Sequence, residues 1–153
     1  MTTEKTAESC YGVRWTEDDM VLCALTNKIE VCQGIDLQLD RTIRVPGPNS
    51  AALVDNKLFT SSTSSKEKKY MTYCGSLDEP TQTVLHREEA DNPTKITHIS
   101  ANKEYVASLD YVNKTLKVFS SIDNEHLFDI PLTGIEFISP LMVCWFQTSE
   151  EES

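Results

Sequence analysis

From residue 11 onward, apolar and polar residues alternate in short runs, and no stretch carries an apolar stripe at i, i+3 and i+4. A period of two is the pattern of half-buried strands, so the chain reads as all-β. Tyr11, Val13 and Trp15 alternate with Gly12 and Arg14, Glu17-Asp18-Asp19 supplies a turn, and an apolar run at 20–25 follows. Thr26-Asn27-Lys28 turns the chain into a third run around Ile29 and Val31. A fourth, at 40–45, stops at Pro46-Gly47-Pro48, which cannot continue a ladder. The same order of four runs returns at 51–55, 57–62, 69–74 and 82–87, and again at 95–100, 105–110, 115–120 and 126–131.

With Val13, Ala52, Ile96 and Ile135 as equivalent first-strand positions, the units recur at spacings of 39, 44 and 39 residues. Four short strands at a period of about 40 residues mark the blade of a β-propeller, a small sheet whose faces are covered by its neighbours. A Greek-key sandwich is the rival, but it does not predict a four-strand unit repeating in one internal order. The pattern predicts blades at about 10–47, 48–92 and 93–134 and a partial fourth at 135–146, a partial propeller of about three and a half blades. A disordered polar tail (1–9) and an acidic tail (147–153) flank it. An open ring would bare apolar faces at its ends, so a fragment, a truncated product and self-association through the open blades are all expected outcomes.

At 153 residues, with 39% hydrophobic and 25% charged residues, the chain has the size and balance of one globular domain. No apolar run reaches the ~18 residues of a membrane span. The N-terminus lacks the basic start and apolar centre of a secretory signal, which predicts a cytoplasmic protein and no membrane partner. Cys10, Cys23, Cys32, Cys74 and Cys144 form an odd set without a C-x-x-C pair and read as buried thiols in a reducing compartment rather than as metal ligands. The net charge of −10 repels a phosphate backbone, so no nucleic-acid partner is expected. The compact basic cluster SSKEKK (64–69) reads as a solvated loop tip.

Residues 107–119, ASLDYVNKTLKVF, resemble the core of an NHL repeat, in which a strand ends in Asp, two residues intervene, Asn turns the chain, and an alternating strand closes with Val-Phe. Asp110, Asn113, Val118 and Phe119 stand at those places. The first unit, CALTNKIEVCQ, keeps Asn27, Ile29 and Val31 without the Asp, and the second has a longer loop and neither turn residue. Over residues 10–145 the chain is similar to the C-terminal propellers of invertebrate tripartite-motif proteins, whose propellers recruit partners for ubiquitin transfer. The resemblance implies a non-catalytic recruiting module. It departs from the family in lacking the RING and B-box segments and in stopping within the fourth of the usual six blades.

The candidate chemistry is sparse. His86 and His126 fall on fourth, outer strands, and His98 on a first, inner strand, where it reads as a surface or channel-lining imidazole without activating partners. Asp110 is accounted for by its turn. There is no G-x-S-x-G elbow, no Ser-His-Asp arrangement and no Gly-rich phosphate loop. Trp15, on an early strand, reads as core. Because loops between strands form binding faces on rigid scaffolds, Arg14, Asn27, Lys66, Lys68, Tyr111 and Asn113 are the expected partner-binding residues. The expected function is a protein-interaction module with a protein partner, no cofactor and no enzymatic activity. Two alternatives stand beside it: a metal-dependent propeller lyase or hydrolase, and an RNA-binding propeller, which the charge disfavours.

Overall fold

A computed structural model describes residues 9–134 apart from 17, 18, 35, 37, 80 and 94–96. The expected partial fourth unit at 135–146, with Cys144 and Trp145, lies outside the described residues, as do both expected tails apart from residue 9. Twelve strands follow one another without a helix among the described residues. The first sheet holds β1 (Gly12–Trp15), β2 (Met20–Ala24), β3 (Lys28–Gln33) and β4 (Gln38–Arg44). The second holds β5 (Pro48–Val54), β6 (Lys57–Ser64), β7 (Lys69–Ser76) and β8 (Thr83–Glu89). The third holds β9 (Ile99–Ala101), β10 (Tyr105–Asp110), β11 (Thr115–Ser120) and β12 (His126–Pro131). Within each sheet the strands pair antiparallel in sequence order.

The second sheet lies between the other two. Leu22, Ala24, Ile29 and Val31 of the first sheet pack on Ala51 and Leu58 of the second. From its other face, Ala52, Phe59 and Cys74 pack on Ile99, Val106 and Phe119 of the third. Phe59 and Leu58 are both fully buried although adjacent in sequence, because alternate residues of β6 serve opposite interfaces. Gly12 is required where β1 meets β5, since a Cβ there would stand 2.6 Å from the Asn49 carbonyl oxygen.

The structure changes three details of the sequence pattern. The first is the equivalence of Val13 with Ala52. Arg14 pairs with Leu22 as Ala52 pairs with Phe59, and Leu22 and Phe59 each pack toward the following sheet. Arg14, one residue on, is therefore the structural counterpart, and a one-residue slip exchanges the two faces of a strand. Val13 and Trp15 consequently face away from the second sheet and are 66% and 55% exposed, so Trp15 is not core. The second concerns the start of β5: β4 ends at Arg44, before Pro46-Gly47-Pro48 as expected, but the next strand opens at Pro48 and not at residue 51. At the first residue of an edge strand the missing N–H of Pro48 is tolerated. Third, the thiols are not uniformly buried: Cys32 and Cys74 are, while Cys23 is half-buried and Cys10 exposed.

In all three sheets the pairing of third and fourth strands slips by one residue, at Val31/Cys32, Thr72/Tyr73 and Val118/Phe119. A bulge of this kind re-aims the side chains that follow it. In the second sheet it decides where His86 points.

Candidate functional site

The turns between second and third strands gather at one end of the sheets. Asn27 accepts through its backbone oxygen from Val45 N and through Oδ1 from Gly47 N, both at 3.3 Å, and the Gly47 carbonyl accepts from Thr63 N at the end of β6. Gly47 stands at φ +52 with the Thr63 carbonyl 2.6 Å from where a Cβ would be, so this junction needs glycine. Lys66 and Lys68 project from the β6–β7 turn, in which Lys68 takes φ 59, and both are exposed. Tyr111, in the β10–β11 turn, stacks on Tyr70 of the second sheet with ring centroids 5.9 Å apart. Asn113 donates its backbone N–H and its side-chain amide to the Asp110 carboxylate, at 2.8 and 3.0 Å, and Lys114 carries the positive φ of that turn. Asn27, Lys66, Lys68, Tyr111 and Asn113 are thus brought to one face.

Arg14 is placed elsewhere, on the side formed by the first strands. Its Nη2 donates to the Ile99 carbonyl at 2.6 Å and lies 3.2 Å from His98 Nε2. A guanidinium only donates, so His98 accepts there as a neutral imidazole. Burial and the adjacent positive charge push its pKa down to about 4. Ser50 Oγ bonds both the N–H and the carbonyl of Ile99, and Asn49 Nδ2 donates to Thr63 and Thr97. Beside this network lies a cavity of about 180 Å³ lined by Arg14, Trp15, Val54, Asp55, Asn102 and Lys103.

A third cluster lies across the seam between the second and third sheets. Thr72 bonds Ser108 of the third sheet at 3.2 Å, so its side chain faces that seam. Thr72 is also the register partner of His86, and Tyr70 of Glu88, which turns both β8 side chains to the same side. Before the bulge, Leu85 packs against the same core, so strict alternation from Leu85 would have sent His86 and Glu88 the other way. His86 Nε2 comes within 3.3 Å of Glu88 Oε1 and 4.0 Å of Asp110 Oδ2. Among the described residues these three form the group of His, Cys, Asp and Glu side chains close enough to share a metal ion.

The electrostatics of the seam are uneven. Glu88 and Asp110 are 8% and 1% exposed. Burial, reinforced by Asp110, pushes Glu88 up to about 7, with His86 acting against the shift. Burial also works against an ionised Asp110, but hydrogen bonding from Glu88 and Asn113 outweighs it and holds Asp110 below its ordinary range. Glu88 Oε2 is a buried atom without a hydrogen-bond partner, and the buried His86 Nε2 meets Glu88 Oε1 only outside hydrogen-bond geometry.

Sequence reasoning placed His86 on its outer strand but not beside two carboxylates. A usable signal was the His86-Arg87-Glu88 spacing, which sets two ligand-type side chains on one face of a strand. His126 remains apart on β12, bonded to Asp129 at 2.7 Å.

No protein-family model matches the chain, and no curated protein matches it in sequence. Among solved structures, the β-propeller domain of Myceliophteria thermophila Cps50 (Swd1) aligns over 83% of this chain and 42% of its own at a TM-score of 0.52 and 13% identity. The fold is that of a β-propeller. Kluyveromyces lactis Hsv2 aligns over 82% of this chain and 38% of its own, at a TM-score of 0.59 and 10% identity. Kuenenia stuttgartiensis hydrazine synthase aligns over 87% and 40%, at 0.60 and 7%. The chain therefore spans about two fifths of each of these three chains. Identities this low carry the architecture, three adjacent blades, and leave function to the residues on it.

Proposed function

We propose that this chain is a non-catalytic protein-interaction module that docks its partner on the face formed by the turns between second and third strands. The observation that carries the reading is the convergence of those turns from three successive blades, with Asn27, Lys66, Lys68 and Asn113 exposed and Tyr111 half-buried. Rigid sheets hold such turns at fixed spacing, so a partner can contact several at once with little ordering cost. Lys66, Lys68 and Lys114 are exposed on this face of a chain whose net charge is −10, a local polarity that favours an acidic partner surface. Under the tripartite-motif resemblance that partner is a substrate or adaptor for ubiquitin transfer.

The test compares proteins captured in cells by the wild type, by a Lys66→Glu/Lys68→Glu/Tyr111→Ser variant, and by Lys103→Glu beside the cavity. The expected result is a set retained by wild type and Lys103→Glu and lost from the triple variant, containing ubiquitin-transfer components. Identical sets from the wild type and a folded triple variant would overturn docking on this face. A lost set without ubiquitin-transfer components would overturn only the ubiquitin part.

A further inference from the structure

We propose that His86, Glu88 and Asp110 form a binding site for one divalent transition-metal ion of the zinc type, held across the seam between the second and third blades. All three ligand atoms lie within 4.8 Å of one another. At zinc–ligand bonds of about 2.0–2.1 Å, the ligand atoms of a tetrahedral site stand about 3.3 Å apart. His86 Nε2 and Glu88 Oε1 already stand at 3.3 Å, His86 Nε2 and Asp110 Oδ2 at 4.0 Å, and every pair lies within 4.8 Å, so side-chain adjustments of up to about 1.5 Å close the site.

The condition of the side chains points independently to a ligand. Glu88 is more than nine-tenths buried and its Oε2 has no hydrogen-bond partner, while the buried Nε2 of His86 faces Glu88 Oε1 at 3.3 Å outside hydrogen-bond geometry. Leaving such a group unsatisfied inside a protein carries its full desolvation penalty. Thr115, the register partner of Asp110, adds a further buried hydroxyl without a partner. A cation placed among them would accept the imidazole lone pair and offset both carboxylates.

The donor set selects the ion. One imidazole and two carboxylates suit zinc, whereas magnesium and calcium call for oxygen ligands throughout. Three protein ligands leave a fourth position for water. Asn113 already orients the Asp110 carboxylate from outside the site, as an outer partner of a ligand does. The side chain of His86 is 26% exposed and gives the ion an edge of entry. Lys117 Nζ stands 4.0 Å from Asp110, but its nearer partner is Asp129 at 3.1 Å, so the ammonium has an alternative anchor when a cation binds.

The test uses the full chain stripped with EDTA, titrated with zinc chloride or magnesium chloride while zinc stoichiometry and thermal unfolding are followed. The expected result is one zinc per chain and a midpoint raised by zinc and not by magnesium. Cobalt(II) substituted for zinc should give visible bands without thiolate charge transfer, which separates this site from the cysteines. Glu88→Gln and His86→Asn should each weaken zinc binding at least about tenfold, while His126→Asn leaves it unchanged. Absence of zinc uptake, a cobalt–thiolate band, or undiminished zinc affinity in both folded variants would each overturn the site. Should the variants not fold, the wild-type cobalt spectrum decides.

Discussion

Two histidines, His98 and His86, each stand where neighbouring blades meet, and the chain has dealt with them in opposite ways. At the inner strands Arg14 supplies a donor to His98 and to the Ile99 carbonyl, and Ser50 and Asn49 complete a network drawn from all three blades. The seam around His86 brings in two carboxylates instead, Lys117 stands 4.0 Å from the same Asp110 oxygen that His86 approaches, and buried polar atoms, Glu88 Oε2 among them, stay without hydrogen bonds. A donor whose charge is permanent closes the first site. The second has surplus acceptors and calls for something from outside, whether a proton on Glu88 or a metal ion. Satisfaction of polar groups thus separates a contact that serves the scaffold from one available for binding.

The largest expected effect distinguishes the two carboxylates of the seam. Asp110 accepts from both nitrogens of Asn113 and secures its turn, so Asp110→Ala should cost about 2–4 kcal/mol in urea unfolding of EDTA-treated protein. Glu88→Gln should be neutral or stabilising at pH 8, because an amide can donate to Asp110 where a lone carboxylate repels it. Equal losses from both substitutions would show that Glu88 is as firmly partnered as Asp110, and the contrast would fail.

Next in size is the inner site. Arg14→Leu removes a charge-assisted hydrogen bond and leaves the Ile99 carbonyl with a long contact from Ser50 at 3.5 Å. Such a bond contributes about 1.5–3 kcal/mol, and a loss in that range is expected from the same unfolding measurement. A variant as stable as the wild type would mean that Arg14 does not close the site and is available for the partner-binding role its sequence position suggested.

The strands and their order were legible because alternation and turn residues are local signals, and the repeated unit exposed the architecture. Asp110 was readable as a turn residue for the same reason. What escaped depended on parity. The one-residue offset that makes Arg14 and not Val13 the counterpart of Ala52, and the bulge at Thr72/Tyr73, each exchange the two faces of a strand. Trp15 was therefore assigned to the core and His86 separated from Asp110. Arg14 beside His98 joins residues 84 apart on different blades, a contact set by how blades pack and not by the alternation within either.

The smallest effect is one of pH, and the two sites should impose opposite slopes on stability. His98 has a pKa of about 4 in the fold against an ordinary 6.5, so between those values the unfolded chain binds more protons and stability rises with pH. Its contribution is complete above pH 6.5 and is lost as the pH falls toward 4. Glu88 stands at about 7 in the fold against 4.5, so the folded chain binds more protons in that interval and stability falls as the pH rises. Across pH 4.5 to 6.5 the two contributions oppose each other, and the wild type should be less pH-dependent than either variant. Glu88→Gln should uncover the rising limb and His98→Asn the falling one, each on the order of 1 kcal/mol across the window. Asp110 titrates below its ordinary 3.8 and stays ionised throughout, so it does not mask the difference. Chemical unfolding at half-unit pH steps in EDTA would measure the slopes. If both variants kept the wild-type slope, neither imidazole nor carboxylate would be perturbed as the packing requires, and the two sites would differ in geometry alone.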